Sequence, residues 1–108
     1  MYVLVRKDLD PSQQTVQSCH AVIEATRQFI TSEQIHPHLV LCGIRDEEAL
    51  KREVCRLEAF GIRFACFYEP DRGNELTAIA TAPVDGEEHR LCHRYNLLVQ
   101  GTEARGPP

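Results

Sequence analysis

Side chains able to do acid–base or hydrogen-bonding chemistry fall at a few separated points of this chain. An imidazole such as that of His20 can both accept and donate a proton, so it can act as a general base or a proton relay. It also falls on or beside an apolar helical face, where a hydrogen-bonded core histidine is the plainer reading. Glu69 closes an apolar run and precedes Pro70. Its carboxylate can orient a base, activate water itself, or be an ordinary turn carboxylate. Thr77 lies near the start of the next run, where its hydroxyl can bind a carbonyl or a water, and threonine is equally a good strand former. The N–H groups near Gln13 and Gln14, at the start of a helical pattern, can receive a phosphate or an oxyanion. Gln17, one turn before His20, can orient a site group or face solvent. Arg6, Lys7 and Arg72 can contact phosphates or be solvated at strand and loop ends.

Two other groupings have the residue types of metal ligands. His36-Pro37-His38 has no cysteine or carboxylate at a familiar spacing. His89, Cys92 and His93 share a helix face, but no metalloprotease glutamate accompanies them, and a partly exposed helix explains them as well. Metal binding is not expected at either. No phosphate-binding Gly-x-Gly-x-x-Gly loop, Walker-type loop or serine-hydrolase elbow occurs.

These residues need elements to position them. Tyr2 to Val5 is a continuous apolar run, as in a strand covered on both faces. Asp10, Pro11 and Ser12 form a turn able to cap a helix. From about Gln13 to Ile30, Val16, Cys19, Val22, Ile23, Thr26, Phe29 and Ile30 recur at helical steps. Leu39 to Ile44 reads as a second buried strand. Asp46, Glu47 and Glu48 suit a helix N-terminus, and that helix runs to Phe60 before Gly61. Ile62 to Tyr68 is a third strand with Ile62, Phe64, Cys66 and Tyr68 on one face. Glu69 to Asn74 is a turn, Leu76 to Thr81 a fourth strand antiparallel to the third, and Asp85 to Tyr95 a last helix. The order β-α-β-α-β-β-α, with right-handed crossovers, predicts an α/β domain: a mixed four-stranded sheet with helices on both faces. It covers residues 1–100, and the Gly/Pro-rich stretch 101–108 reads as a flexible tail.

Composition narrows the setting. At 108 residues the chain is the size of one domain. The five cysteines lie mostly among apolar residues with no close pair, which disfavours a disulfide framework and suits a reducing compartment. The start lacks the pattern of a signal peptide, and no apolar run approaches the roughly 20 residues of a membrane span. A cytoplasmic protein without membrane attachment is expected. The net charge of −4 argues against a strongly basic, non-specific nucleic-acid binder, so an RNA role would rest on a local patch.

The segment VLVRKDL, residues 3–9, followed by Val16-Gln17-Ser18-Cys19-His20-Ala21-Val22, resembles the opening of type II peptidyl-tRNA hydrolases. Those proteins begin with an apolar strand ending in Arg-x-Asp-Leu, and their first helix contains a Gln-x-x-His-Ala element. Asp46-Glu47-Glu48 with Leu50 resembles the family's entry to its second helix, Gly61-Ile62 its exit, and Thr77-Ala78-Ile79-Ala80 with Pro83 its last strand. The likeness spans roughly residues 2–95 in the family's order. Two departures stand out. Where the family has a lysine at the start of the first helix, Gln13 or Gln14 stands here. Where it has Asp-Ala-Gly-Arg-Thr after the third strand, this chain has Glu69-Pro70-Asp71-Arg72-Gly73-Asn74, with Glu69 in the place of the aspartate. The pattern looks like a divergent branch.

The resemblance implies a peptidyl-tRNA hydrolase II-like fold and cleavage of the ester joining a peptide to the terminal ribose of tRNA. It makes tRNA or peptidyl-tRNA the partner and calls for no metal or organic cofactor. A homodimer is also plausible by resemblance. On this reading His20, Glu69 and Thr77 are catalytic, and Gln13, Gln14, Gln17, Arg6 and Arg72 bind substrate, all at the carboxyl ends of the parallel strands. The alternative is a catalytically degenerate relative that binds RNA, a nucleotide or a protein.

Overall fold

The computed structural model describes residues 1–33 and 36–98. The expected tail at 101–108 lies outside them. Four strands and three helices alternate: β1 (Tyr2–Arg6), α1 (Pro11–Phe29), β2 (Val40–Ile44), α2 (Glu47–Phe60), β3 (Phe64–Glu69), β4 (Glu75–Thr81) and α3 (Gly86–Cys92). A short 3-10 turn, Pro70–Arg72, joins β3 to β4. The sheet order is β2-β1-β4-β3. β1 and β2 are parallel, while β4 lies antiparallel between β1 and β3. This is the expected mixed four-stranded α/β sheet. Among the described residues, no helix is long and apolar enough to cross a membrane.

Alternation along the strands sorts the core into two layers. Val3, Val5, Ala65, Ala78 and Ala80 face α1 together with Ala21 and Ala25. Leu4, Cys42, Ile62, Leu76 and Ile79 face the other way, against Leu50 and Leu57 of α2 and Cys92 of α3. Small residues dominate the first layer, which lets α1 lie close to the sheet across β1, β4 and β3. Each long helix starts on an aspartate. Asp10 accepts the Gln13 N–H and Asp46 the Ala49 N–H, both at 2.9 Å, satisfying donors that a helix start otherwise leaves open. α2 ends on Gly61 at φ 74°, a left-handed position that glycine adopts without strain.

Element ends differ from expectation by one to three residues, and two differences have physical content. Leu39–Ile44 reads as a buried strand from its apolar run, yet in β2 only Cys42 is buried. β2 is an edge strand that α1 does not cover, so Leu39 and Leu41 are exposed. The other difference is a β-bulge. Phe67 pairs with Ala78 and Tyr68 with Leu76, which leaves Thr77 without a partner residue across the ladder. The extra residue breaks the alternation there, turning Thr77 toward α1 while Leu76 faces α2. The Leu76 N–H donates to Glu47 Oε2 at 2.9 Å.

Ile79 is fully buried on the central strand opposite Leu4. Ile79→Ala should lower the unfolding free energy by about 2–5 kcal/mol, the usual cost of such a cavity. Urea unfolding would show this as a lower midpoint with an unchanged slope.

Candidate functional site

β1, β2 and β3 run in one direction, so their carboxyl ends, the start of β4 and the first turns of α1 all meet at one end of the sheet. Arg6 ends β1, Glu69 ends β3, and Thr77 follows the start of β4. The expected residues therefore come from four separate elements to a common place. Open α/β sheets bind ligands at this end.

Gln17 is the residue that joins them. It is completely buried beneath α1. Its Nε2 donates to Glu69 Oε1 at 2.7 Å and to Gln13 Oε1 at 3.1 Å. Its Oε1 accepts from the Thr77 hydroxyl at 2.7 Å, and that hydroxyl also lies 3.3 Å from Phe67 O. The amide orientation follows from charge: reversed, its oxygen would face the Glu69 carboxylate and repel it. The second Glu69 oxygen accepts the Asp71 N–H at 3.2 Å. Glu69 is thus both a turn carboxylate and a member of the network. The Gln17 amide foremost, then the Asp71 N–H and the nearby His20 and Arg72 side chains, hold its carboxyl below the ordinary range.

His20 sits one turn further along α1, half-buried at the edge of the network. Its ring stacks on Phe67 with centroids 4.4 Å apart and planes 12° from parallel. Neither ring nitrogen has a hydrogen-bond partner among the described residues. The imidazole is therefore fixed by its face, and its nitrogens remain available to a ligand. The sequence left a core histidine open as the plainer reading, but a sealed core position is not what forms.

The other expected residues take different parts. Thr77 is fully buried, so its hydroxyl orients Gln17 instead of meeting a substrate. Gln17 likewise holds the site together from beneath. The Gln13 N–H, read as an anion-receiving donor, is already capped by Asp10, while the side-chain oxygen of Gln13 is turned inward to Gln17. Gln14 is buried and its Nε2 donates to Lys7 O at 3.3 Å. Arg6 is buried and grips Asp8 with Nε and Nη2 at 2.9 and 2.8 Å. Its Nη1 reaches Glu75 at 2.9 Å and Leu76 O at 3.2 Å. The Asp8 carboxylate foremost, with Glu75, stabilises its charge, and the same contacts hold Asp8 and Glu75 below the usual carboxylate range. Arg72 donates to Glu75 at 3.3 Å. Arg6 is therefore a strut between β1 and the β3–β4 turn, not a phosphate contact, because its guanidinium is spent on carboxylates.

The metal-like groupings also resolve. The Tyr2 hydroxyl lies 3.3 Å from His89 Nδ1, and the His89 and His93 rings are 5.9 Å apart. Among the described residues no three His, Cys, Asp or Glu side chains are placed to hold a metal ion. Cys42 and Cys92 are buried in the α2-side core, and burial pushes the Cys42 thiol up to about 11, so it is not a nucleophile at neutral pH. An open apolar groove of about 440 Å³ between α1 and β2, lined by Val3, Val22, Ile23, Leu39 and Leu41, lies on the other flank of α1 from His20. The chain matches no protein-family model and no curated protein sequence.

Gln17→Leu keeps the volume of the side chain and removes both hydrogen-bonding ends. It should cost about 1–3 kcal/mol, as expected for stranding buried polar partners, and let the Glu69 carboxyl titrate closer to its ordinary range. A depressed carboxylate contributes stability that is present above its unfolded-state value and lost as pH falls through its folded-state value. The stability gap between the wild type and Gln17→Leu should therefore be widest near neutral pH and narrow in acid. Carbon-detected NMR titration of Glu69 and urea unfolding at both pH values would measure the two effects.

Proposed function

We propose that the chain hydrolyses the ester of peptidyl-tRNA, releasing peptide and tRNA, with a fold of the type II peptidyl-tRNA hydrolase kind. The observation that carries this reading is the ionised Glu69 carboxylate, braced by Gln17 and Thr77 and set beside the partner-free imidazole of His20. Hydrolysis needs a base for water, a field for the charge that develops, and a donor for the oxyanion. His20 takes a proton from water as the oxygen attacks the ester carbonyl. Glu69 stabilises the imidazolium so formed. The proton then passes to the ribose oxygen as the acyl–oxygen bond breaks, leaving a free acid and a free hydroxyl. With its oxygen turned inward to Gln17, Gln13 has its amide NH2 left to donate to the tetrahedral oxyanion. No metal or organic cofactor takes part in this scheme.

A second reading is a binding module without turnover. It draws on Arg6 and Arg72, whose charges are used inside the protein, and on glutamine in place of a lysine at the start of α1.

Release of N-acetyl-aminoacyl ester from a charged tRNA separates the two. The hydrolase reading expects turnover that falls by about 100-fold or more in His20→Ala, the usual contribution of a general base, and a clear loss in Glu69→Gln. A folded wild-type protein giving no release at high concentration would sink it. Binding of tRNA that His20→Ala leaves unchanged, without turnover, would establish the second reading.

A further inference from the structure

A polyanionic substrate needs cations at this end of the sheet, and among the described residues four of them are committed while Lys7 and Arg52 are not. Arg6 pairs with Asp8 at 2.8 Å, Arg45 with Asp46 at 3.1 Å, Arg72 with Glu75 at 3.3 Å and Lys51 with Glu47 at 3.7 Å. Lys7 follows β1 at the same end. It is exposed and has no carboxylate partner among the described residues.

Its surroundings fix it nonetheless. The Lys7 N–H donates to Ile44 O at 2.7 Å, and its carbonyl accepts from Gln14 Nε2 at 3.3 Å, so the backbone is tied to both β2 and α1. The stem of the side chain lies over Gly43. A Cβ built there would come within 2.7 Å of Lys7 Cδ, 2.8 Å of Cγ and 3.1 Å of Leu98 Cδ1. Gly43 therefore keeps a slot open that the lysine stem and Leu98 fill. An ordinary surface lysine must lose its rotamer freedom when it binds. Here packing of the stem has already removed part of that freedom, while the residue as a whole stays exposed.

We propose that Lys7 is a phosphate-contacting residue at this end of the sheet, on the β2 side of α1, its stem held by the Gly43 slot so that the ammonium meets a backbone phosphate of the RNA substrate. The inference rests on the hydrolase reading above. An ammonium acts on phosphate as a point charge, so it adds affinity without selecting sequence.

Binding of deacylated tRNA across a salt series, together with hydrolysis of peptidyl-tRNA, tests it. Lys7→Met keeps an apolar stem and removes the charge. It should weaken tRNA binding several-fold at low salt, reduce the slope of log K against log salt by about 1, and raise KM with kcat preserved. Lys7→Arg should restore the slope, and Arg27→Met, in the last turn of α1 at the far end of the sheet, should leave it unchanged. Gly43→Ala keeps every charge but displaces the stem, and should raise KM in the same direction. If Lys7→Met does not fold, a normal KM in Gly43→Ala overturns the proposal. Wild-type affinity and slope in folded Lys7→Met, with wild-type hydrolysis intact, overturn the role of Lys7 and leave the hydrolase standing. A wild-type protein that neither binds tRNA nor hydrolyses the ester removes both.

Discussion

The placement of one buried carboxamide governs this end of the molecule. Gln17 is wholly excluded from solvent, and a buried amide is stable only if both its ends are hydrogen-bonded. One end requires a hydroxyl donor from β4 and the other an anionic acceptor from β3. Neither is available from regular structure alone. A regular β4 would point Thr77 away from α1, and the bulge turns it inward. The bulge in turn disturbs the ladder at Leu76, whose N–H is taken up by Glu47 at the start of α2. The acidic entry to the second helix, read in the sequence as dipole compensation, thus also supports the far side of the bulge that aims Thr77.

A second set of contacts ties the same strands from the other side. Arg6 reaches from the end of β1 to Glu75 and the Leu76 carbonyl, while Arg72 meets Glu75 across the turn. Removing one partner from a pair of this kind costs more than the pair contributes, because the other charge is left poorly solvated. The ion pairs and the Gln17 network therefore brace β4 from both faces at the position where it is irregular. The local irregularity costs ladder pairing, and these contacts offset it where the side chains of chemical interest converge.

The sheet and its helices were legible because they obey periodic rules. The apolar run of β1, the helical spacing from Val16 to Phe29, and the aspartate caps all report local physics that the chain repeats. The bulge was not legible. Leu76-Thr77-Ala78-Ile79 reads as an ordinary strand, and nothing in its composition says that Thr77 lacks a partner across the ladder. That omission hid the role of Gln17. A lone glutamine on a helix reads equally as solvent-facing, and only its spatial neighbours make it central. β2 was misread for a related reason: an apolar run reports hydrophobicity, but whether a helix covers the strand depends on sheet order. Arg6 shows the same limit for charge, since its two carboxylates include Glu75, distant in sequence.

Charge pairing also shapes the electrostatics at this end of an acidic chain. The net charge of −4 is not spread evenly in its effect. At the carboxyl ends of the strands, Asp8, Asp46, Glu47 and Glu75 are opposed at short range by Arg6, Arg45, Lys51 and Arg72, so these charges largely cancel beyond the screening length of about 8–10 Å. Glu69 is different, because it is held by neutral donors and by the nearby His20 and Arg72 side chains. It remains without an ion pair near His20, while Lys7, also without one among the described residues, follows β1, with β4 between the two strands. Among the described residues Asp10, Glu48, Arg52 and Asp71 stand exposed at the same end without an ion pair, so the cancellation there is partial. What the ion pairs achieve is local: they neutralise the carboxylates closest to the irregular start of β4 and leave the exposed charges to screening by solvent and salt.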